Sequence, residues 1–411
     1  MKSNCAATRW LLTSASVLLL SSSLLSQTPR SPWRISGLES LNSYIQDNFA
    51  ASVAISEDQR TIVVGAPGWG TEGEAYVFVE PPGGWTSTTQ YVAKLTHGIP
   101  QNSDAFGSAV AINGNTIVIG APYVRRNKGP FGAVYVFVEP KTGWATTSHY
   151  HAELSPPTDQ GVEGTFGSSV AFDGETVVVG GALNNLGQGL ALVFNKPESG
   201  WSSTHSSSQL IASDGSPSDA FGSSVAVDHD TIVVGAIQDF AARQGEAYVF
   251  AKPGDGWQSS TETARLTASD GQPWDMFGAS TSVVRDTIVI GALRLAGSTG
   301  AAYVFTRPSG GWETTTETAE LTPSDGFQQD FFGYAVALWK NKLMVGAPNV
   351  SKLYAFVKPE QGWTTTSSFS SEWQRGGRSL AAAGETLVTG GIASTSDWLS
   401  SPGAAFVIRR N

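Results

Sequence analysis

One outline recurs along this chain at a nearly fixed interval, and that periodicity constrains the fold more than any other feature. Ser218–Ala236 reads "SDAFGSSVAVDHDTIVVGA", and Asp104–Ala121 reads "DAFGSAVAINGNTIVIGA". Asp275–Ala292 and Asp330–Ala347 repeat it as "DMFGASTSVVRDTIVIGA" and "DFFGYAVALWKNKLMVGA". Phe-Gly pairs fall at Phe106, Phe166, Phe221, Phe277 and Phe332, with degenerate versions at Phe49 and Gly376. The glycine-led triplets that follow begin at Gly65, Gly120, Gly180, Gly235, Gly291, Gly346 and Gly390, spaced 55, 60, 55, 56, 55 and 44 residues apart. Seven copies of one structural unit result, and a period of this size marks a repeat architecture.

Each copy carries four strand signals. In the copy that opens at Phe221 these are Phe221–Val227, Thr231–Gly235, the aromatic run "AYVFAK" from Ala247, and "TARLTASD" from Thr263. A Gly-Trp turn separates the third from the fourth, at Trp85, Trp144, Trp201, Trp257, Trp312 and Trp363. β-Branched and aromatic runs bounded by Gly, Pro and Asp are strands. "TIVVGA" and "VYVFV" are apolar on successive residues, so both of their faces are covered. Four-stranded antiparallel sheets packed radially cover both faces at this period, so an all-β, seven-bladed β-propeller is expected. The last copy stops after its third strand, "AAFVIRR". Its fourth is expected from the N-terminus, with Trp33–Ser36 beside Ala404–Ile408 closing the ring and leaving no open edge.

Residues 1–26 have a different character. Lys2 and Arg9 precede the apolar run "WLLTSASVLLL" and the small-residue tract "SSSLLS", the order of a cleaved secretory signal. The apolar run is too short for a membrane span. The expected division is a signal peptide over 1–26 and the propeller over 27–411, in a secreted or cell-surface protein without a transmembrane anchor after cleavage. Removal of residues 1–26 takes away Cys5, the only cysteine, and two of the cations of a chain whose formal charge is −10. An acidic chain disfavours nucleic acid, whose phosphates need Lys and Arg.

Phe-Gly followed 14 residues later by Gly-Ala-Pro resembles the FG-GAP repeat, best known from the integrin α-subunit propeller and from secreted microbial proteins. The "LTASDG…D.FG" lead-in is most similar to the bacterial-type variant. The resemblance covers nearly all of the chain after the signal segment and implies extracellular recognition or adhesion by a seven-bladed propeller. Integrin-type repeats often carry Ca²⁺ on an acidic loop between the first and second strands. Here those connections are the short turns "INGNT", "FDGET", "VDHDT", "VVRDT" and "AAGET". Asn113-Gly114 and Asp173-Gly174 read as two-residue type I′ hairpins, which cannot encircle a metal. No cofactor is therefore required. The remaining positions for weak Ca²⁺ are the Asp pairs before each Phe-Gly: Asp214 with Asp219, Asp270 with Asp275, and Asp325 with Asp330. Asx turns account for the same residues.

No G-x-S-x-G, H-E-x-x-H or P-loop occurs, which argues against an enzyme; a hydrolase or lyase with a site in the central channel is a rival. His149 and His151 in "SHYHAEL" read as two neighbours on one face of a fourth strand. Binding is expected where the copies differ, because loops on a rigid scaffold carry it. The second-to-third-strand loops vary most and place Trp69, Arg125, Arg126, Lys128, Phe131, Phe240, Arg243 and Trp398 on one face. Cations beside aromatics suit an acidic protein or a glycan, so a monomeric adhesion module is expected, with a lectin-like propeller as the alternative.

Overall fold

The structure, a computed structural model, describes residues 33–40, 47–68, 72–98, 103–125, 132–157, 164–205, 207–238, 243–293, 299–392 and 403–410. The expected signal segment, residues 1–26, lies outside them. Trp33–Asn411 forms one compact unit. No helix among the described residues is long and apolar enough to cross a membrane.

The strands form seven sheets of four antiparallel strands each, two of them extended by a short parallel fifth strand, and six of the seven run in chain order from an inner to an outer strand. Blade 1 consists of Ser52–Ile55, Thr61–Ala66, Glu74–Val79 and Ala93–Leu95. Blades 2 to 7 begin with Ala109–Asn113, Ser169–Phe172, Phe221–Asp228, Ser280–Val284, Ala335–Trp339 and Ser379–Ala383. Each first strand touches those of both neighbouring blades, and that of blade 7 touches that of blade 1, so the seven close into a ring. The fourth strand of blade 7 is Trp33–Leu38, paired antiparallel with Gly403–Arg410. The ladder runs from Trp33 opposite Arg410 to Leu38 opposite Ala405, further along both strands than the sequence indicated.

The core lies between blades. Val63 and Val77 of blade 1 pack with Ile117, Ile119 and Tyr135 of blade 2, and the same arrangement recurs around the ring. The two sequence markers meet across this interface. A Cβ added to Gly120 would stand 2.0 Å from the backbone oxygen of Gly167 in the next blade. The same approach joins Gly65 to Gly107, Gly235 to Gly278 and Gly291 to Gly333, at 1.9–2.1 Å. The glycine of each triplet is thus the floor on which the next Phe-Gly turn rests. Side chains reinforce the contact: Ser52 Oγ donates to Gly107 O at 2.8 Å and Ser224 Oγ to Gly278 O at 2.7 Å. The repeated outline is blade-to-blade architecture.

The Gly-Trp turns join the same interfaces. Trp144 packs on Ala54 and Val63 of the preceding blade, and Trp312 Nε1 donates to Thr231 Oγ1 of blade 4 at 3.3 Å. A threonine just beyond each Trp then bridges in parallel to the outer strand of the preceding blade. Thr147 pairs with Leu95 in this way, and its N–H donates to Lys94 O at 3.0 Å. In two places the bridge lengthens to a short fifth strand, Ser260–Thr261 on blade 3 and Thr315–Thr316 on blade 4.

Two local readings are corrected. The hairpin of blade 2 pairs Asn113 with Thr116, so its turn is Gly114-Asn115, one residue later than the Asn-Gly dipeptide suggests. Only the first turn residue has positive φ (Gly114 at 55°, His229 at 52°, Arg285 at 53°), whereas type I′ needs both. His149 and His151 precede the outer strand Ala152–Leu154 instead of alternating along it, and His151 Nδ1 accepts from Val138 N–H at 3.1 Å.

Candidate ligand-binding face

Loops between second and third strands share one face of the ring with the connections that enter each new blade. Parallel bridges knit the two sets together: Gly73 with Phe106, Gly189 with Phe221, Gly245 with Phe277 and Gly300 with Phe332. Trp274 N–H donates to Arg243 O at 3.1 Å and Tyr123 N–H to Asp104 O at 3.2 Å. Variable loops are therefore mounted on a rigid, repeated base.

Of the eight residues singled out on these loops, Arg125 and Arg243 are described; Trp69, Arg126, Lys128, Phe131, Phe240 and Trp398 lie outside the described residues. Arg243, on blade 4, forms an ion pair with the buried carboxylate of Asp219. Arg125, exposed on blade 2, sits close enough to Asp104 to oppose the rise of its pKa. Each of the two cations thus answers a local carboxylate, and they stand on different blades.

The Asp pairs have protein partners throughout. The second member caps its own loop: Asp219 Oδ2 accepts from Ser216 N–H at 2.7 Å, Asp275 from Gln272 N–H at 2.7 Å and Asp330 from Phe327 N–H at 2.8 Å. The first member accepts from a core tyrosine of the following blade, Tyr248 to Asp214 at 3.0 Å, Tyr303 to Asp270 at 2.8 Å and Tyr354 to Asp325 at 3.1 Å. Arg265 adds an ion pair to Asp214 and Lys352 one to Asp325. Burial, followed by the charges of Glu246 and Asp214, pushes the Tyr248 phenol far up, so it stays a donor. Carboxylates already facing Tyr hydroxyls and Arg or Lys cations do not fit a tight calcium cage. Among the described residues no three His, Cys, Asp or Glu side chains converge as a metal site.

Blade 2 departs from this pattern. Its lead-in carries His97, buried and stacked on Tyr135 with ring centroids 5.1 Å apart. His97 Nε2 lies 3.2 Å from Asp104 Oδ2 without the alignment of a hydrogen bond. Burial lowers the imidazole pKa. Burial also raises the Asp104 carboxyl to about 6, helped by Glu72 and opposed by Arg125.

Besides Tyr123, exposed on the blade 2 loop, three further aromatics on this face were not singled out from sequence. Trp274 is 46% exposed, Phe327 76% and Tyr334 40%. They stand at the entries to the adjacent blades 5 and 6. Trp274 has φ of +74°, a left-handed conformation that a bulky residue seldom adopts. Ser103, Ser218 and Gln329 share that backbone shape at the matching position (φ 76°, 70° and 66°), so the loop geometry belongs to the fold. The tryptophan on it serves no core. The legible signal was an aromatic where the other copies carry Ser or Gln.

A family model for the FG-GAP repeat matches residues 45–78, 89–137, 205–250, 260–305 and 315–356. Blades 3 and 7 have no match of their own. Their triplets run Gly180-Gly181 and Gly390-Gly391, and a Cβ on the second glycine would meet the Phe166 backbone at 2.9 Å or the Gly376 backbone at 2.5 Å. A search of curated proteins finds no match. Among solved structures, the WD40 β-propeller domain of Doa1 is similar at 9% identity and a TM-score of 0.55, over 92% of this chain and 97% of that one. At that identity the likeness concerns the fold alone.

Proposed function

Because the chain belongs to the FG-GAP repeat family, we propose that it is a secreted binding or adhesion module that recognises an extracellular protein or glycan through its loop-rich face. The observation that carries this reading is the group of Trp274, Phe327 and Tyr334, which exposes aromatic surface at the entries to two adjacent blades. Aromatic faces beside polar loops suit stacking on a sugar ring or docking of an apolar side chain. The expected chemistry is recognition, with no reaction step. Any calcium at the acidic loops is expected to bind weakly, since the carboxylates already have partners.

A glycan array and a pull-down from extracellular matrix with the full chain test this reading. Trp274→Ala with Phe327→Ala should abolish capture while leaving the fold intact. Capture that survives both substitutions would remove this face from the function.

A further inference from the structure

The seam that closes the ring carries a group of cations on the opposite face. In blades 1 to 6 the third strand ends at a Gly-Trp turn that leads directly to the fourth. In blade 7 the two strands are the two ends of the chain, and their ladder runs on to Arg34 opposite Arg409 and Trp33 opposite Arg410. The blade 1 residue at the place of Arg409 is Val79, which packs against the core shared with blade 2. Arg34 and Arg409 project from the same face of a regular antiparallel pair, and like charges placed directly opposite repel. Glu80 of blade 1 pairs with Arg409. Arg34 and Arg410 are exposed and face no carboxylate among the described residues. These three arginines, with Gly84 and Trp85 of blade 1, line a cleft of about 200 Å³.

We infer that this cleft binds a tetrahedral oxyanion, a sulfate or phosphate group. Arg34 and Arg409 stand directly opposite on one face of the ladder, so two guanidinium forks meet one carboxylate, that of Glu80, and Arg410 lines the same cleft from the end of its strand. Planar forks bind oxyanions through paired N–H donors better than ammonium groups do. The polar groups of the floor are already engaged, Ser36 Oγ on Trp85 O at 3.1 Å and Gly84 N–H on Pro81 O at 2.9 Å, so the unused donors are guanidinium N–H groups. An anion there would relieve the repulsion between the two closing strands, which ties occupancy to ring closure.

Isothermal titration of the full chain at constant ionic strength tests this with inorganic sulfate, inorganic phosphate, and a sulfated oligosaccharide beside its desulfated form. Arg34→Gln and Arg410→Gln should each weaken binding about tenfold, the loss expected for one charge-assisted contact. Lys141→Gln removes an exposed cation from the same face at blade 2 and should leave affinity unchanged. Both arginine variants are surface changes, and an unaltered melting curve in chloride shows that they fold. Equal binding of free sulfate and sulfated saccharide identifies the group alone as the ligand; tighter binding of the saccharide identifies an ester on a polymer. Either outcome supports the site. Absence of measurable binding by every oxyanion, or a loss in Lys141→Gln equal to that in the arginine variants, overturns it.

Discussion

Gly120→Ala isolates the contact on which the repeat depends. Gly120 has no left-handed backbone, so alanine suits its conformation; only space opposes it. The new Cβ would lie 2.0 Å from Gly167 O and 3.0 Å from Gly167 C, whereas Cβ atoms stay beyond about 3 Å from such neighbours. A blade must therefore retreat by roughly 1 Å. Neither side is a rotatable side chain, and both flanking residues, Ile119 and Ala121, are fully buried. Retreat also strains the bond from Gly107 N–H to Gly120 O, 3.0 Å long. Overpacking of about 1–3 kcal/mol, with about 1 kcal/mol for a weakened hydrogen bond, gives an expected loss of about 3 kcal/mol. Gly83→Ala is the control, because nothing lies within 4 Å of its added Cβ; it should stay within about 0.5 kcal/mol of the parent. Urea unfolding followed by tryptophan fluorescence is the suitable assay. A ring of roughly 380 residues has an unfolding entropy near 0.8 kcal/mol/K, so the same loss moves the melting temperature by only about 4 °C. A Gly120→Ala protein as stable as the parent, or a Gly83→Ala protein equally weakened, would refute the glycine-floor account.

Deletion of Trp33–Leu38 uncovers Ala405 and Val407 and removes the fully buried Leu38, so a loss of about 3–5 kcal/mol and concentration-dependent association are expected in urea titration and light scattering; an unchanged midpoint would contradict ring closure by this strand. Asp104 titrates near 6 when folded and near 3.8 when unfolded, so the folded state binds the extra proton between those values. Its contribution is present below about pH 4 and is lost as pH rises through 6, while buried His97 acts oppositely, favouring the fold as pH rises towards 6.5. Asp104→Asn should accordingly gain on the parent by about 2–3 kcal/mol between pH 4 and pH 7; a difference independent of pH would dismiss this linkage. Excess chelator should shift the melting temperature by no more than about 2 °C, since millimolar sites add little by mass action, and sub-micromolar calcium binding by calorimetry would restore an integrin-like loop.

Blade number, strand order and the origin of the closing strand were legible because each depends on a residue pattern within one copy or at the chain ends. The glycine contacts were not, since the atom that forbids a side chain at Gly120 belongs to Gly167, in the next copy. The threonine bridges escaped for a related reason: two or three polar residues past a Gly-Trp turn carry no strand periodicity, and their partner lies about 50 residues away, as Leu95 does from Thr147. The acidic pairs were legible as turn residues, while their bonds to Tyr248, Tyr303 and Tyr354 depend on how blades stack. Loop variability pointed to one face of the ring but did not rank its residues. Arg243, singled out from sequence as a ligand contact, is held by Asp219.

Six outer strands are held by a threonine bridge from the following blade. The outer strand of blade 6, Ser371–Trp373, has none among the described residues; Trp33 instead sets its ring edge-on against Trp373 at 5.4 Å. A linear repeat array frays from its ends, but a closed ring has no end to fray from, and freeing a group of blades requires two junctions to part at once. The rate of global opening is then governed by the weakest junction together with whichever parts second. Blade 7 is both the blade assembled from the two chain termini and the neighbour of the one unbridged edge. Slow opening should therefore begin there, with the amides of Ser371–Trp373 and Trp33–Leu38 exchanging with solvent before those of any other outer strand.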